Sequence, residues 1–275
     1  FGAEKVLTLD AAITEVLSHN PDIQVARSRT EAAKARIPQA KSLEDPMVGV
    51  RFYNVPINTI NVREGMDIDY MVQQKIPFPG KRYTRGTAAR HEAHSIQEMS
   101  QGKVADVLID LKQTYYMLYR LDRSLEINQE TQKIFRQFLG SEETRYATGK
   151  VSAEAPLKAQ VELSKLENEA LLLEQERITH RSHLKALLSR ESHEEIQLPS
   201  EIRWPRLTIG LDEVMAIAKE GRPELKTLDA MEKEKRARLT AARQGLIPDL
   251  SLGFEYVQRP QQQDAWTGQA MINLP

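Results

Sequence analysis

The chain's 275 residues carry 38 Lys and Arg against 39 Asp and Glu, a formal net charge of −1 that supplies no global field for holding nucleic acid. Charged residues make up 28% and aromatic ones 6%, a balance typical of long helices rather than of a thick compact core. The absence of cysteine excludes disulfides and thiolate metal sites, and no run approaches the roughly 18 apolar residues of a membrane helix, so any membrane crossing must be made by strands.

The opening stretch, FGAEKVLTLD, has neither a basic n-region nor an apolar h-region and reads as a start from which an export signal has been removed. A short helix follows and ends at SHNPD, where Pro21 forbids continuation and suits the first turn of a second helix over residues 21–42. Pro46 then opens a strand, PMVGVRFYN, with Val48, Val50 and Phe52 at alternate positions. A polar loop, VPINTINVREG, leads into MDIDYMVQQKIP, where Ile68, Tyr70, Val72 and Ile76 face one way and Asp67, Asp69, Gln73 and Lys75 the other. Together these predict a β-hairpin over residues 46–77.

After FPGKR the period changes to that of a helix, predicted over 82–147 without an internal proline; its roughly 66 residues would span about 100 Å. Val104, Leu111, Leu118 and Leu125 recur at sevens, flanked by Leu108, Tyr115 and Leu121. In the turn YATGKVSAEAP, Gly149 suits a left-handed helix end, Ser152 an N-cap and Pro156 a first turn. The return helix, 153–189, repeats the heptads through Leu163, Leu166, Ala170, Leu173, Arg177, His180, Leu184 and Leu187, with Arg177 and His180 forming a polar layer that fixes register. The outgoing arm is much the longer, so it needs a further neighbour from the second repeat or another subunit. A linker, 190–206, closes this first repeat of residues 1–206.

Shifting the chain by about 202 residues lays 7–54 over 209–256 without a gap. Leu9-Asp10 falls on Leu211-Asp212, Pro21 on Pro223, Lys41 on Arg243, Pro46 on Pro248 and Phe52 on Phe254. Residues 207–275 therefore begin a second repeat, with helices over 209–245 and a hairpin over 248–275. Its first strand alternates Leu250, Leu252, Phe254 and Tyr256 with Ser251, Gly253 and Glu255; its second sets Trp266, Ala270, Ile272 and Leu274 against Thr267, Gln269 and Asn273. Four strands of about 9–11 residues, each with one apolar face, have the length and alternation of membrane-barrel strands. A soluble sheet packed on its own helices has the same alternation, but these helices are charged nearly all round. Four strands also fall short of the eight that close a membrane barrel, so several chains would share one.

Little else in the sequence carries chemistry. The pairs His91/His94 and His180/His183 have i,i+3 spacing, but neither has a clear third ligand, and both read as solvated helix histidines. Met47, Met66, Met71 and Met271 lie in or beside strands and read as packing or lipid contact rather than soft-metal ligands. No phosphate-cradling glycine loop, GxSxG or cysteine nucleophile is present, so no enzyme and no cofactor is expected.

The strand-to-helix motif QQKIPFPGKR at 73–82, the hairpin tip RYATGKVSAEAPLKAQVEL at 145–163, the strand opening LIPDLSLGFEY and the duplication together resemble the TolC-like outer-membrane efflux proteins over essentially the whole chain. The resemblance implies a mainly α fold with membrane β-strands: a long antiparallel helical hairpin and two β-hairpins, contributing to a shared trimeric twelve-stranded barrel and an α-helical tunnel. It implies a homotrimer in the outer membrane of a Gram-negative cell with its helices in the periplasm. That trimer would be the passive exit duct of a tripartite efflux pump or type I secretion system, exporting small molecules or metal ions. Its partners would be a periplasmic adaptor (membrane fusion protein), an inner-membrane transporter and outer-membrane lipid, with no nucleic acid.

Carried over by position, the adaptor would meet Arg145, Tyr146, Gly149, Val151 and Ser152 at the hairpin tip, although Lys150 and Glu154-Ala155-Pro156 depart from the family's usual tip. Lipid would cover Val48, Val50, Phe52, Ile68, Tyr70, Val72, Leu250, Leu252, Phe254 and Ile272. Asp67, Asp69, Ser251, Glu255 and Gln269 would face the lumen, where Asp67 and Asp69 could favour cations. Pro46, Pro77, Pro79, Gly80 and Pro248 would bend the chain between barrel and helices. The family's second long hairpin is missing after INLP, so the chain reads as a fragment of a parent of roughly 400 residues or more. The competing reading is a soluble periplasmic coiled-coil adaptor or scaffold whose four strands form a small covered sheet.

Overall fold

A computed structural model describes residues 6–53, 67–193, 195–199, 201–202, 208–259 and 262–274. The elements in chain order are α1 (Leu9–His19), α2 (Pro21–Lys41), β1 (Met47–Tyr53), β2 (Asp67–Ile76), α3 (Lys81–Ala147), α4 (Glu154–Leu188), α5 (Leu211–Gly221), α6 (Pro223–Gln244), β3 (Leu250–Gln258) and β4 (Ala265–Ile272). The chain is mainly α with one four-stranded antiparallel sheet among the described residues. The loop expected at VPINTINVREG, with Met66 after it, lies outside them, as does part of the 190–206 linker. The chain divides into two compact units, Phe1–Ala26 with Gln101–Ala218, and Arg27–Ser100 with Lys219–Pro275.

The first unit holds the main apolar core. Val16 and Ile23 meet Leu111 and Leu118 of α3 and Leu184 and Leu188 of α4, all fully or nearly fully buried. Each such burial stabilises by about 1.5–3 kcal/mol. Tyr115 is buried among them and donates its hydroxyl to the Leu7 carbonyl at 2.9 Å. Burial pushes its phenol pKa up to about 12. Thr8 caps α1 through the Ala11 amide, and the Asn20 side chain caps α2 by accepting from the Asp22 and Ile23 amides. Part of the expected linker is also structural, since the Leu7 amide bonds the Gln197 carbonyl and Ile196 is buried. The Arg190 guanidinium clasps the Glu15 carboxylate at 2.6 and 2.7 Å.

The heptads predict an apolar seam between α3 and α4, and from Val107 to Leu121 the buried stripe of α3 is apolar apart from Thr114. Toward the tip it becomes polar. Arg177 lies 3.7 Å from Asp122, whose carboxyl pKa burial raises against the pull of Arg177 and Arg181. Next come buried Asn128, which donates to Glu169 at 3.2 Å, and buried Gln132, which donates to Asn128 at 2.7 Å. Arg136 then bonds Gln132 and Glu167. Such layers pair well in only one register and weaken the seam in return. His180 takes no part in the Arg177 pair and lines a groove with Tyr116, Met117 and His183.

The second unit contains the sheet, in the order β1-β2-β3-β4, which seats the two hairpins side by side through β2 and β3. Under the repeat shift α1 maps onto α5 and α2 onto α6, with β1 overlapping β3. Pro38 lies inside α2, a second proline the helix absorbs within its last turns. Ala33, Ala88, Ala93 and Ala230 are buried on the helices of this unit.

Candidate membrane sheet, its foot and the hairpin tip

Because cross-strand partners share a face, the register decides what each side of the sheet presents. Val50, Tyr70, Tyr256 and Trp266 form one row across all four strands, and Val48, Val72, Phe254 and Gly268 the next. Phe52 lies beside Ile68, Leu252 beside Ala270, and Leu250 between Ile76 and Ile272. Apolar positions from both hairpins thus fall on one side. Only Gln74 and Gln258 interrupt them, and the Gln74 amide is occupied by the Glu44 carbonyl at 2.8 Å.

This apolar side is the bare one. Val48 is 76% exposed, Trp266 71% and Ile272 64%, while Ser251, Gly253 and Glu255 on the other side are partly enclosed and Asp69 is 2% exposed. A sheet built for water does the opposite. Rings meet on the apolar side, with Phe254 stacked on Trp266 at 6.1 Å and Tyr70 tilted against Tyr256 at 6.4 Å.

On the polar side the register groups Asp67 with Tyr53, Ser251 with Lys75, and Gln269 with Gly253. Arg51, which sequence reasoning did not single out, lies 3.9 Å from Asp69 and 4.0 Å from Glu255. Its charge offsets Asp69, one of the two carboxylates expected to favour cations, and Glu255 beside it. Alternation could have flagged Arg51, one residue from Val50 and Phe52. At the loop end Asp264 closes the β3–β4 turn, held below the usual carboxylate range by the Tyr256 hydroxyl and the Arg259 amide.

The expected bends lie at the other end, the foot of the sheet. Pro46 precedes β1, Pro77 follows β2, and Pro79 and Gly80 form the turn into α3, where Gly80 has φ 98°. Pro248 stands just before β3. Sequence reasoning missed the ion pair that joins these segments. Lys81 and Asp249, 4% and 5% exposed, meet at 2.7 Å, and Lys81 also donates to the Ile247 carbonyl. Asp249 further accepts the Phe78 amide at 3.0 Å and has Lys75 at 3.9 Å, while its own amide donates to Asn273. The Lys81 ammonium holds the Asp249 carboxyl below its ordinary range despite burial.

At the far end of α3, Gly149 takes φ 72°, its amide reaching the Tyr146 carbonyl at 2.9 Å and the Lys150 amide the Arg145 carbonyl at 2.9 Å. That pair of bonds is a Schellman close. Gly149→Ala should lower stability by about 1 kcal/mol, because a Cβ disfavours this region, and thermal unfolding of α3 and α4 would register it. Ser152, expected to cap the return helix, does not. Ala153 stands at the N-cap in helical conformation without a side-chain bond, and Ser152 offers only its carbonyl, to Ala155. The chain is already helical at Ala153, and the Ala155 amide that a capping hydroxyl at Ser152 would take is bonded to the Ser152 carbonyl instead. Arg145 pairs with buried Glu142 at 2.8 Å. Tyr146 stays half exposed beside a shallow hollow bordered by Pro156 and Leu157, and Val151 is partly exposed. Among the described residues no three His, Asp or Glu side chains gather as metal ligands, and His183 pairs with Asp110 at 3.0 Å.

Three solved proteins, one described as forming a transmembrane channel and two as outer-membrane proteins, share this fold. CusC superposes with a TM-score of 0.76 at 17% identity, covering 97% of this chain and 65% of that one. The outer membrane channel CmeC of Campylobacter jejuni gives 0.77 at 15%, covering 97% and 61%. The outer membrane protein VceC of Vibrio cholerae gives 0.73 at 18%, covering 97% and 68%. The chain therefore spans less than two thirds of the length of CusC and CmeC. No curated protein sequence matches the chain. The outer membrane efflux protein family matches residues 12–190, from α1 through the first hairpin and the whole of α3 and α4, and the chain belongs to that family.

Proposed function

We propose that the protein is the outer-membrane exit duct of a tripartite efflux pump or type I secretion system, a passive conduit for small molecules or metal ions. One observation carries this reading: the apolar face of the sheet is bare, while its polar face is buried at Asp69 and partly enclosed at Ser251, Gly253 and Glu255. That arrangement suits lipid outside and water inside. Val48, Val50, Phe52, Ile68, Tyr70, Val72, Leu250, Leu252, Phe254 and Ile272 then meet lipid. Asp67, Asp69, Ser251, Glu255 and Gln269 line the lumen. Since four strands cannot close a barrel, three copies share one of twelve. The row Tyr70, Tyr256 and Trp266 lies toward the loop end, where aromatic side chains anchor a barrel at the interface. The half-exposed tip at Arg145, Tyr146, Gly149, Val151 and Ser152 offers itself to a periplasmic adaptor, which couples the duct to an inner-membrane transporter.

Fractionation of the native envelope with an antibody against α3 and α4 tests the reading. The full-length protein should sediment with the outer membrane and run as a trimer without boiling. Recovery as a soluble periplasmic monomer would overturn it and return the strands to an adaptor or scaffold.

A further inference from the structure

The foot of the sheet carries more positive charge than its own fold uses. Lys41 ends α2, Arg82 and Arg85 belong to the first turns of α3, and Arg243 lies at the end of α6, so three elements bring four cations to one place. Contacts hold them close. Arg82 donates to the Lys41 carbonyl at 2.7 Å, and the Lys41 stem crosses Gly86 so tightly that a Cβ there would stand 2.5 Å from it. Gln244, next to Arg243, accepts the Thr84 hydroxyl at 2.5 Å. The foot's own acids are taken elsewhere: Glu44 pairs with Lys75 and Asp249 with Lys81. Among the described residues Lys41, Arg82, Arg85 and Arg243 make no ion pair.

The same place is greasy. Tyr83 and Leu246 are each 70% exposed, and Phe78 and Leu43 are also bare, all in the segments that run between the strand ends and the cations. A broad apolar surface rimmed by aromatic side chains and unneutralised Lys and Arg complements a bilayer edge with anionic headgroups. We propose that the foot is a docking surface for the phosphate groups of anionic phospholipids in the periplasmic leaflet. The inference rests on the lipid-facing reading of the sheet. In a trimer the four cations would repeat three times as a belt.

The full-length protein, reconstituted in nanodiscs of phosphatidylcholine with or without phosphatidylglycerol, tests this. Native mass spectrometry should show phosphatidylglycerol retained in preference, by roughly fivefold per engaged cation, with the preference falling as salt rises. Arg82→Gln with Arg85→Gln should remove most of it. The paired Lys substitutions should keep it, which separates charge from misfolding, and Arg236→Gln, whose guanidinium pairs with Glu232 on α6, should leave it unchanged. Equal retention of both lipids, or an unaffected Gln double variant, would overturn the proposal. So would an altered ion selectivity of the pore with lipid preference intact, since the cations would then face the lumen. Failure of the protein to enter a bilayer at all would instead refute the lipid-facing reading beneath it.

Discussion

Val72→Arg should cost about 2–4 kcal/mol per subunit, the range for a basic residue at the bilayer midplane of a barrel, while Gln73→Arg should cost well under 1 kcal/mol. The residues are neighbours near the middle of β2, so strand propensity and sequence position hardly differ. What differs is the face. Val72 lies between Val48 and Phe254, with no polar group to share a guanidinium's hydration, and Gln73 lies between Met47 and Gly253 on the polar side. In water the contrast would vanish, because Val72 is 44% exposed and an arginine there could reach solvent freely. The measurement is the fraction of heat-resistant trimer recovered from membranes for each variant at matched expression. A loss of tenfold or more for Val72→Arg with near-normal Gln73→Arg fits a lipid face. Equal recovery of the two would end the barrel reading whatever the family.

Much of this was legible because period is local. Alternation at Val48-Val50-Phe52 and at Leu250-Leu252-Phe254 fixes each strand's face before any partner is known. The prolines at 21, 46, 223 and 248 mark boundaries within a residue or two of the observed ones. Pairing is not local. That β2 seats against β3, joining the repeats, depends on which edges meet, and alternation within a strand does not specify it. Arg51 acquires its role only when that register brings Asp69 and Glu255 around it. The polar seam at Asn128 and Gln132 was equally hidden, since heptad reading follows leucines and passes over amides occupying the same stripe. Ser152 shows the converse error, in which a good capping residue stands one position before an N-cap, Ala153, that makes no side-chain bond.

The Lys81–Asp249 pair is a buried contact that sequence reasoning could not reach, and breaking it should have the second large effect. Lys81→Met leaves a buried carboxylate facing only the Phe78 amide and a lysine 3.9 Å away. The expected loss is about 3 kcal/mol, the lower end for breaking a buried pair, because Lys75 retains part of the attraction. Asp249→Leu should cost a similar amount by stranding the Lys81 ammonium on the Ile247 carbonyl. The double variant should recover most of either loss, since replacing both charges removes the cost of desolvating them. Denaturant midpoints with unchanged slopes would measure all three. Acid supplies an independent check. A carboxyl with a depressed folded pKa contributes stability above its unfolded value near 4 and loses it as pH falls through the folded one. The penalty of Asp249→Leu should therefore shrink only below about pH 4. Because the pair ties the start of α3 to the residue just before β3, hydrogen exchange should quicken first at the Phe78 and Asn273 amides, while that of Leu118 stays protected. Uniform loosening would mean that the pair stabilises the whole chain rather than the joint between sheet and helix.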